Sequence, residues 1–219
     1  LKQSFEFGHD PKKTYAWGSA RFDPYWSKIN LNLLKPLKSY KKEKSQTVIT
    51  FFLPHWSYNV NYTLTINCIK KIILDKSLLV IIKNHSRGTG SIGSKDLKDI
   101  SMSENVILNS NEHSASLIYA SDIVINFGSS IGIEGILQNK VILNPIFLHK
   151  NKTIFDKSKL VYNARNEDEI ITLIQKAKNK KLKILKKEFK DQFMKNEIFA
   201  GEKNNVLDTY YNNIKNILN

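Results

Sequence analysis

Cysteine is almost missing from this chain of 219 residues, where Cys68 stands alone. No disulfide can form within the chain, and no cysteine-rich metal site can be assembled. Ile66, Ile69 and Ile72 surround Cys68 at helical spacing, which predicts a core thiol. The histidines are few and scattered (His9, His55, His85, His113 and His149) and show none of the short metal-ligand spacings. No structural zinc, other metal or cofactor is therefore expected. Long apolar runs are also lacking, and none approaches the roughly 20 residues that cross a bilayer. The opening LKQSFEFGHD has neither the basic head nor the apolar core of a signal peptide. With Leu1 in place of an initiator methionine, the chain is expected to be part of a longer protein.

Acidic residues are in short supply too. Twenty Asp and Glu against 34 Lys and Arg give a formal net charge of +14 and a pI near 9.6. Such a balance invites a nucleic-acid reading, but the excess is concentrated in Lys35 to Lys44 and Lys176 to Lys195. In the second run, lysines alternate with Leu182, Leu185, Phe189 and Phe193 as on a solvated amphipathic helix. Lysine far outnumbers arginine, and no RNA-binding signature accompanies the aromatics. No specific nucleic acid is expected, whereas peripheral contact with anionic lipid fits the charge. The expected location is cytoplasmic, including the inner membrane face.

Hydrophobic content of 41% suits a folded core. A short strand is expected at Thr14 to Trp17, followed by a helix capped by Asp23 with Pro24 at its first position. Residues 1–46 read as the remnant of a preceding domain and a charged linker, and residues 47–219 as the compact domain with its C-terminal helices. Apolar strands at Thr47–Leu53, Leu78–Lys83, Asn105–Leu108, Asp122–Phe127 and Val141–Leu143 alternate with helices, and a long loop follows the second strand. This order predicts an α/β fold: a Rossmann-like parallel sheet with helices on both faces. A capping box at Asn166 and Glu169 predicts a later helix. Leu207, Tyr210 or Tyr211, Ile214 and Leu218 mark a final one.

Two segments carry chemistry. In SDIVINFGSSIGIEGILQNKVILNP, Ser121 to Pro145, a buried strand runs into the small-residue turn Phe127 to Ser130 and then a helix. Gly128, Ser129 and Ser130 would face a phosphate, with Glu134 one helical turn deeper where it can accept from ribose hydroxyls. The other reading is an ordinary strand-turn-helix unit with a solvent-facing acid. In KNHSRGTGSIGS, Lys83, His85 and Arg87 emerge beside Gly88, Gly90 and Gly93, offering a point charge, a proton carrier and a planar fork. The run matches neither common phosphate fingerprint. His55 follows the first strand and is expected to line the same cleft, whereas His113 is expected near a helix start.

Together KNHSRG and ASDIVINFGSSIGIEGILQNKVI resemble the nucleotide-binding C-terminal half of GT-B glycosyltransferases. The likeness is greatest to bacterial surface-polysaccharide enzymes of the CDP-glycerol glycerophosphotransferase and capsular Kdo-transferase kinds. YAWGSARFDPYW resembles the segment leaving their first domain, and FFLPHW the opening strand of the second. The resemblance implies His85 as the catalytic histidine, Ser129 and Ser130 as phosphate-binding serines, Glu134 as the acid on the following helix and Arg87 as the loop cation. It also implies a nucleotide-activated donor of CMP, CDP or UDP type, a glycan or lipid-linked acceptor, metal-independent transfer and an N-terminal domain absent here. Alternatives are glycerol phosphate transfer, a nucleotide-sugar epimerase, or a basic module binding nucleic acid or another polyanion.

Overall fold

The computed structural model describes residues 8–32, 34, 46–85, 92–109, 111–182, 184, 187–201 and 206–218. The chain divides into two compact units, Leu34–Leu185 and Leu1–Leu33 with Lys186–Asn219. The C-terminal helices thus group with the N-terminal segment, where the sequence reading attached them to residues 47–219.

The larger unit holds a six-stranded, wholly parallel sheet of β1 (Thr47–Phe52), β2 (Leu78–Lys83), β3 (Val106–Asn109), β4 (Ile123–Ile125), β5 (Val141–Pro145) and β6 (Tyr162–Ala164), in the spatial order 3-2-1-4-5-6. The central strands are continuous β-branched and aliphatic runs, and Ile49, Phe51, Val80, Ile81, Val124 and Ile125 are fully buried, as a sheet covered on both faces requires. Two polar positions in this core are well paired. Thr50 and Ser121 share a hydroxyl contact of 2.6 Å, and the Asn105 amide donates to the carbonyls of Ile73, Asp75 and Leu78.

Around the sheet lie α2 (Tyr62–Ile72), α3 (Ser94–Ser101), α4 (Ser114–Ala120), α5 (Ile131–Leu137) and α6 (Glu167–Lys178), while α1 (Pro24–Asn32) belongs to the smaller unit. Asn61 caps α2 by accepting from Leu64 N–H. The expected capping box is present in shifted form. Asn166 accepts from Glu169 N–H at 2.8 Å, and the Glu169 carboxylate returns to the N–H of Arg165. Cys68 is a core thiol, and burial pushes its pKa up to about 12.

The differences from expectation have physical reasons. Part of the long loop after β2 is α3, whose apolar residues, Leu97 and Ile100, are too sparse to announce a helix. Strand β6 is three residues long and exists through its pairing with β5. Residues Thr14 to Trp17 form no strand. Tyr15 and Trp17 stack at 5.9 Å, and Trp17 meets Tyr210 edge-on at 5.3 Å, so ring packing replaces a ladder. The lysine-rich run is not one helix either: α6 ends at Lys178, Lys180 has a φ of +53°, and α7 (Lys187–Phe193) starts afresh. In the smaller unit Asp23 is buried and serves two helix starts, accepting from Tyr25 N–H in α1 and from Leu207 N–H in α8 (Val206–Leu218).

Candidate functional site

The strand order reverses between β1 and β4, and in sheets of this order ligands bind in the crevice beyond the carboxyl ends of the strands at that point. The loop after β1 and the turn after β4 therefore flank the crevice, with the loop after β2 beside the first.

Leaving β1, the chain extends its pairing by one residue through Leu53 N–H to Lys83 O at 2.9 Å. It then turns back at His55, where Tyr58 N–H returns to His55 O. His55 Nδ1 accepts from Ser57 N–H at 3.2 Å and lies 2.5 Å from the Ser57 hydroxyl. Since a backbone N–H can only donate, the ring's own N–H is on Nε2. The His55 and His85 rings meet edge-on at 5.9 Å, and Tyr58 packs against both, at 5.4 and 6.1 Å. The fold thus brings together His55 and His85, two residues the sequence reading selected separately. Tyr58 is an addition that no spacing signalled.

Lys83 ends β2 and is half-buried; desolvation holds its ammonium below the usual lysine range, with Glu112 opposing. Arg87, Gly88 and Gly90 lie outside the described residues. The segment regains description at Ile92, and Gly93 N–H donates to the Tyr62 hydroxyl, which itself donates to Asp96 at 2.7 Å. Lys70 holds Asp96 and Asp99, each at 2.8 Å, so the start of α3 is tied to α2. His113 caps α4, accepting from Ala115 N–H through Nδ1.

After β4, Asn126 is fully buried and Phe127 nearly so, and the chain turns at Gly128 with a φ of +80°. A Cβ on Gly128 would run into the Thr153 methyl, so glycine is required there by both conformation and space. Thr153 is itself fixed, its N–H and hydroxyl donating to the two Asp156 oxygens at 3.0 and 2.7 Å. Ser129 gives both of its donors to Asn126 Oδ1, the N–H at 3.1 Å and the hydroxyl at 2.9 Å. Ser130 precedes α5 and its carbonyl accepts Glu134 N–H, which puts Glu134 half-buried one turn along the helix.

The loop after β1 and the loop after β5 are stitched together. Val60 and His149 form an antiparallel bridge, Lys150 N–H donates to Asn59 O, and Asn151 donates to Tyr58 O at 2.7 Å. Behind them His149 is buried beside Asn144, which donates to Asn163. Burial holds the His149 imidazole below the usual histidine range, against the opposing pull of Asp156. Sequence reading passed over His149, although Asn144 in an otherwise apolar strand was an available signal.

Among the described residues, four buried side-chain atoms have no hydrogen-bond partner, and three are at this edge: Asn84 Oδ1 after β2, Asn126 Nδ2 after β4 and His149 Nδ1 after β5. Buried polar atoms without partners are rare in folded proteins. They lie beyond the carboxyl ends of three of the sheet's strands.

No family model and no curated protein matches the sequence. Solved structures do share its architecture. UDP-GlcNAc 2-epimerase from Neisseria meningitidis, bound to UDP-GlcNAc, superposes with a TM-score of 0.64 at 12% identity over 99% of this chain and 58% of its own. The pneumococcal O-GlcNAc transferase GtfA, in complex with UDP and GlcNAc, gives 0.52 at 9% identity over 84% and 38%. The chain spans less than two thirds of either protein, and likeness at such identities is one of fold. That fold is the Rossmann-like half of a GT-B architecture.

Proposed function

We propose that this chain is the donor-binding part of a glycosyltransferase that uses a nucleotide-activated sugar to extend a surface polysaccharide without a metal ion. One observation carries the reading: the switch-point edge of the sheet collects the His55–Tyr58–His85 ring cluster, Lys83 and the Gly128–Ser130 turn, with Glu134 one helical turn beyond. Two proteins with this fold, solved with UDP or a UDP-sugar, support it.

In the transfer, the bond between the sugar carbon and the donor's phosphate oxygen breaks, and a bond to an acceptor hydroxyl forms. Negative charge grows on the departing nucleotide, so positioned donors that meet it there lower the barrier. Lys83 supplies positive charge, and His85 donates a hydrogen bond or proton to the leaving phosphate. Glu134 accepts from the ribose hydroxyls, and His55, with its N–H on Nε2, offers a further donor. The acceptor hydroxyl gives its proton to a base that this reading does not assign among the described residues.

A second reading, a nucleotide-sugar epimerase, is favoured by the higher TM-score and nearly complete coverage against the Neisseria enzyme. Both readings require the same donor site. Calorimetric titration with CMP, CDP, UDP and GDP tests that site, and failure of all four to bind at millimolar concentration would refute it. Incubation with a UDP-sugar then separates the two, since an epimerase inverts the free donor without an acceptor.

A further inference from the structure

We infer that the Tyr58 ring holds the group being transferred, and that this group is a hexose carried on a nucleoside diphosphate. This assignment rests on the donor-site reading and deepens it, by naming which end of the donor meets the loop after β1 and what kind of group sits there.

Among the described residues of the larger unit, the largely exposed aromatic rings are Tyr58 and Tyr119, at 49% and 47%. Tyr119 lies just before β4, at the opposite edge of the sheet, where the Lys140 ammonium sits 5.5 Å from its ring centre. Tyr58 stands at the carboxyl edge, packed against the rings of His55 and His85. Its backbone is held from both directions. Tyr58 N–H donates to His55 O at 2.9 Å, its carbonyl accepts from Asn151 Nδ2 at 2.7 Å, and the next carbonyl, of Asn59, accepts from Lys150 N–H at 3.0 Å. A half-exposed ring on so braced a backbone loses little freedom when a ligand covers it, and the area it buries then counts toward affinity.

The order of groups along the edge decides which part of the donor reaches Tyr58. A nucleotide-activated sugar runs from ribose through phosphates to sugar. In the donor-site reading Glu134, on α5 beyond β4, takes the ribose, the turn after β4 takes the phosphates, and His85, after β2, meets the phosphate that leaves. The donor therefore runs from α5 toward the loops after β1 and β2, and the sugar comes last, beside the ring cluster. With the two histidines serving the phosphate, Tyr58 is the group left to meet the sugar. A phenol suits a hexose ring, because its π face packs on the sugar's C–H face and its hydroxyl can bond a sugar hydroxyl. Glycerol phosphate, an open chain bearing a charge, offers no such face.

The test is calorimetry on wild type, Tyr58→Phe and Tyr58→Ala with three pairs of ligands: UDP and UDP-GlcNAc, GDP and GDP-mannose, CDP and CDP-glucose. Thermal melting checks that each variant folds. For the pair that wild type binds, Tyr58→Ala is expected to weaken the hexose donor roughly fivefold or more and the bare diphosphate less than about twofold. Tyr58→Phe, which keeps the ring, is expected to bind the hexose donor within about twofold of wild type. Equal losses of both ligands in Tyr58→Ala, no loss of either, or a Tyr58→Phe protein as weak as Tyr58→Ala would overturn the inference. So would a wild type that binds a bare nucleotide but none of the three hexose donors, and in each of these cases the donor site stands. If wild type binds neither these ligands nor CMP, the donor-site reading falls and the inference falls with it. Should Tyr58→Ala not fold, Tyr58→Leu, which fills the space beside the histidines without a flat ring, carries the test under the same outcomes.

Discussion

Gly128→Ala separates two physical effects in the turn after β4. The first is backbone conformation: at a φ of +80°, an L side chain costs about 1–2 kcal/mol. The second is space, because the new Cβ would collide with the Thr153 methyl, and forcing one carbon into a packed site costs about 1–3 kcal/mol. The total, about 2–5 kcal/mol, would lower the melting temperature by roughly 4–20 °C in a chain of this size. Thr153→Ser removes only the colliding methyl and keeps the hydroxyl that donates to Asp156 at 2.7 Å. In the double mutant the collision is relieved and the backbone strain is not, so about 1–3 kcal/mol should return. Urea unfolding of the four proteins measures this coupling directly. A Gly128→Ala protein within about 0.5 kcal/mol of wild type, or a coupling below about 0.5 kcal/mol, would refute the reasoning.

Other consequences are open to measurement. Burial works against ionisation of Asp75, but hydrogen bonds from Lys178, Ser77 and Gln175 prevail and hold its carboxyl down to about 2, from an ordinary value of 3.8. A lowered acid contributes stability above its unfolded pKa and loses it as pH falls through the folded value. Asp75→Asn should therefore cost about 1 kcal/mol near neutrality, much of the ideal linkage energy being screened by solvent, and the difference should vanish between pH 4 and 2 in acid unfolding curves. His149 is depressed from 6.5 by burial, so the unfolded chain takes up its proton first. Stability should fall as pH drops below 6.5, and urea midpoints at pH 7.5 and 5.5 should differ less in His149→Gln than in wild type. Cys68, with its thiol pushed up to about 12, should react with a thiol reagent only as fast as the chain opens. Labelling at a solvent-exposed rate in native buffer would contradict its burial.

The elements legible in the sequence were those whose signal is local. TVITFF and LLVIIK are short, β-branched-rich apolar runs of strand length, and the small residues at Gly128 to Ser130 mark a turn. Strand β6 escaped because three residues carry no period, and its existence depends on β5 beside it. In α8, Leu207, Tyr211, Ile214 and Leu218 do share helical spacing, yet all four are exposed in this chain. Periodicity identified that apolar face correctly but could not say whether the chain covers it. The site divides in the same way. His85 and Ser129 were selected from residue type, whereas the packing of Tyr58 against two histidines and the engagement of Ser129 by Asn126 arise from tertiary geometry.

Asn84, Asn126 and Asn144 each stand at or just past the end of an apolar run, in β2, β4 and β5. Read singly, each is a polar residue where a strand meets a loop, and each has a bland explanation. On one sheet edge they are a pattern. Asn126 shapes the turn, Asn144 bridges His149 and Asn163, and Asn84 keeps a buried oxygen without a partner. Uncharged amides are oriented dipoles that add no net charge, which is compatible with the anionic donor proposed for this edge. The +14 net charge would draw such a donor toward the protein, and Lys83 would add a charge at the edge itself.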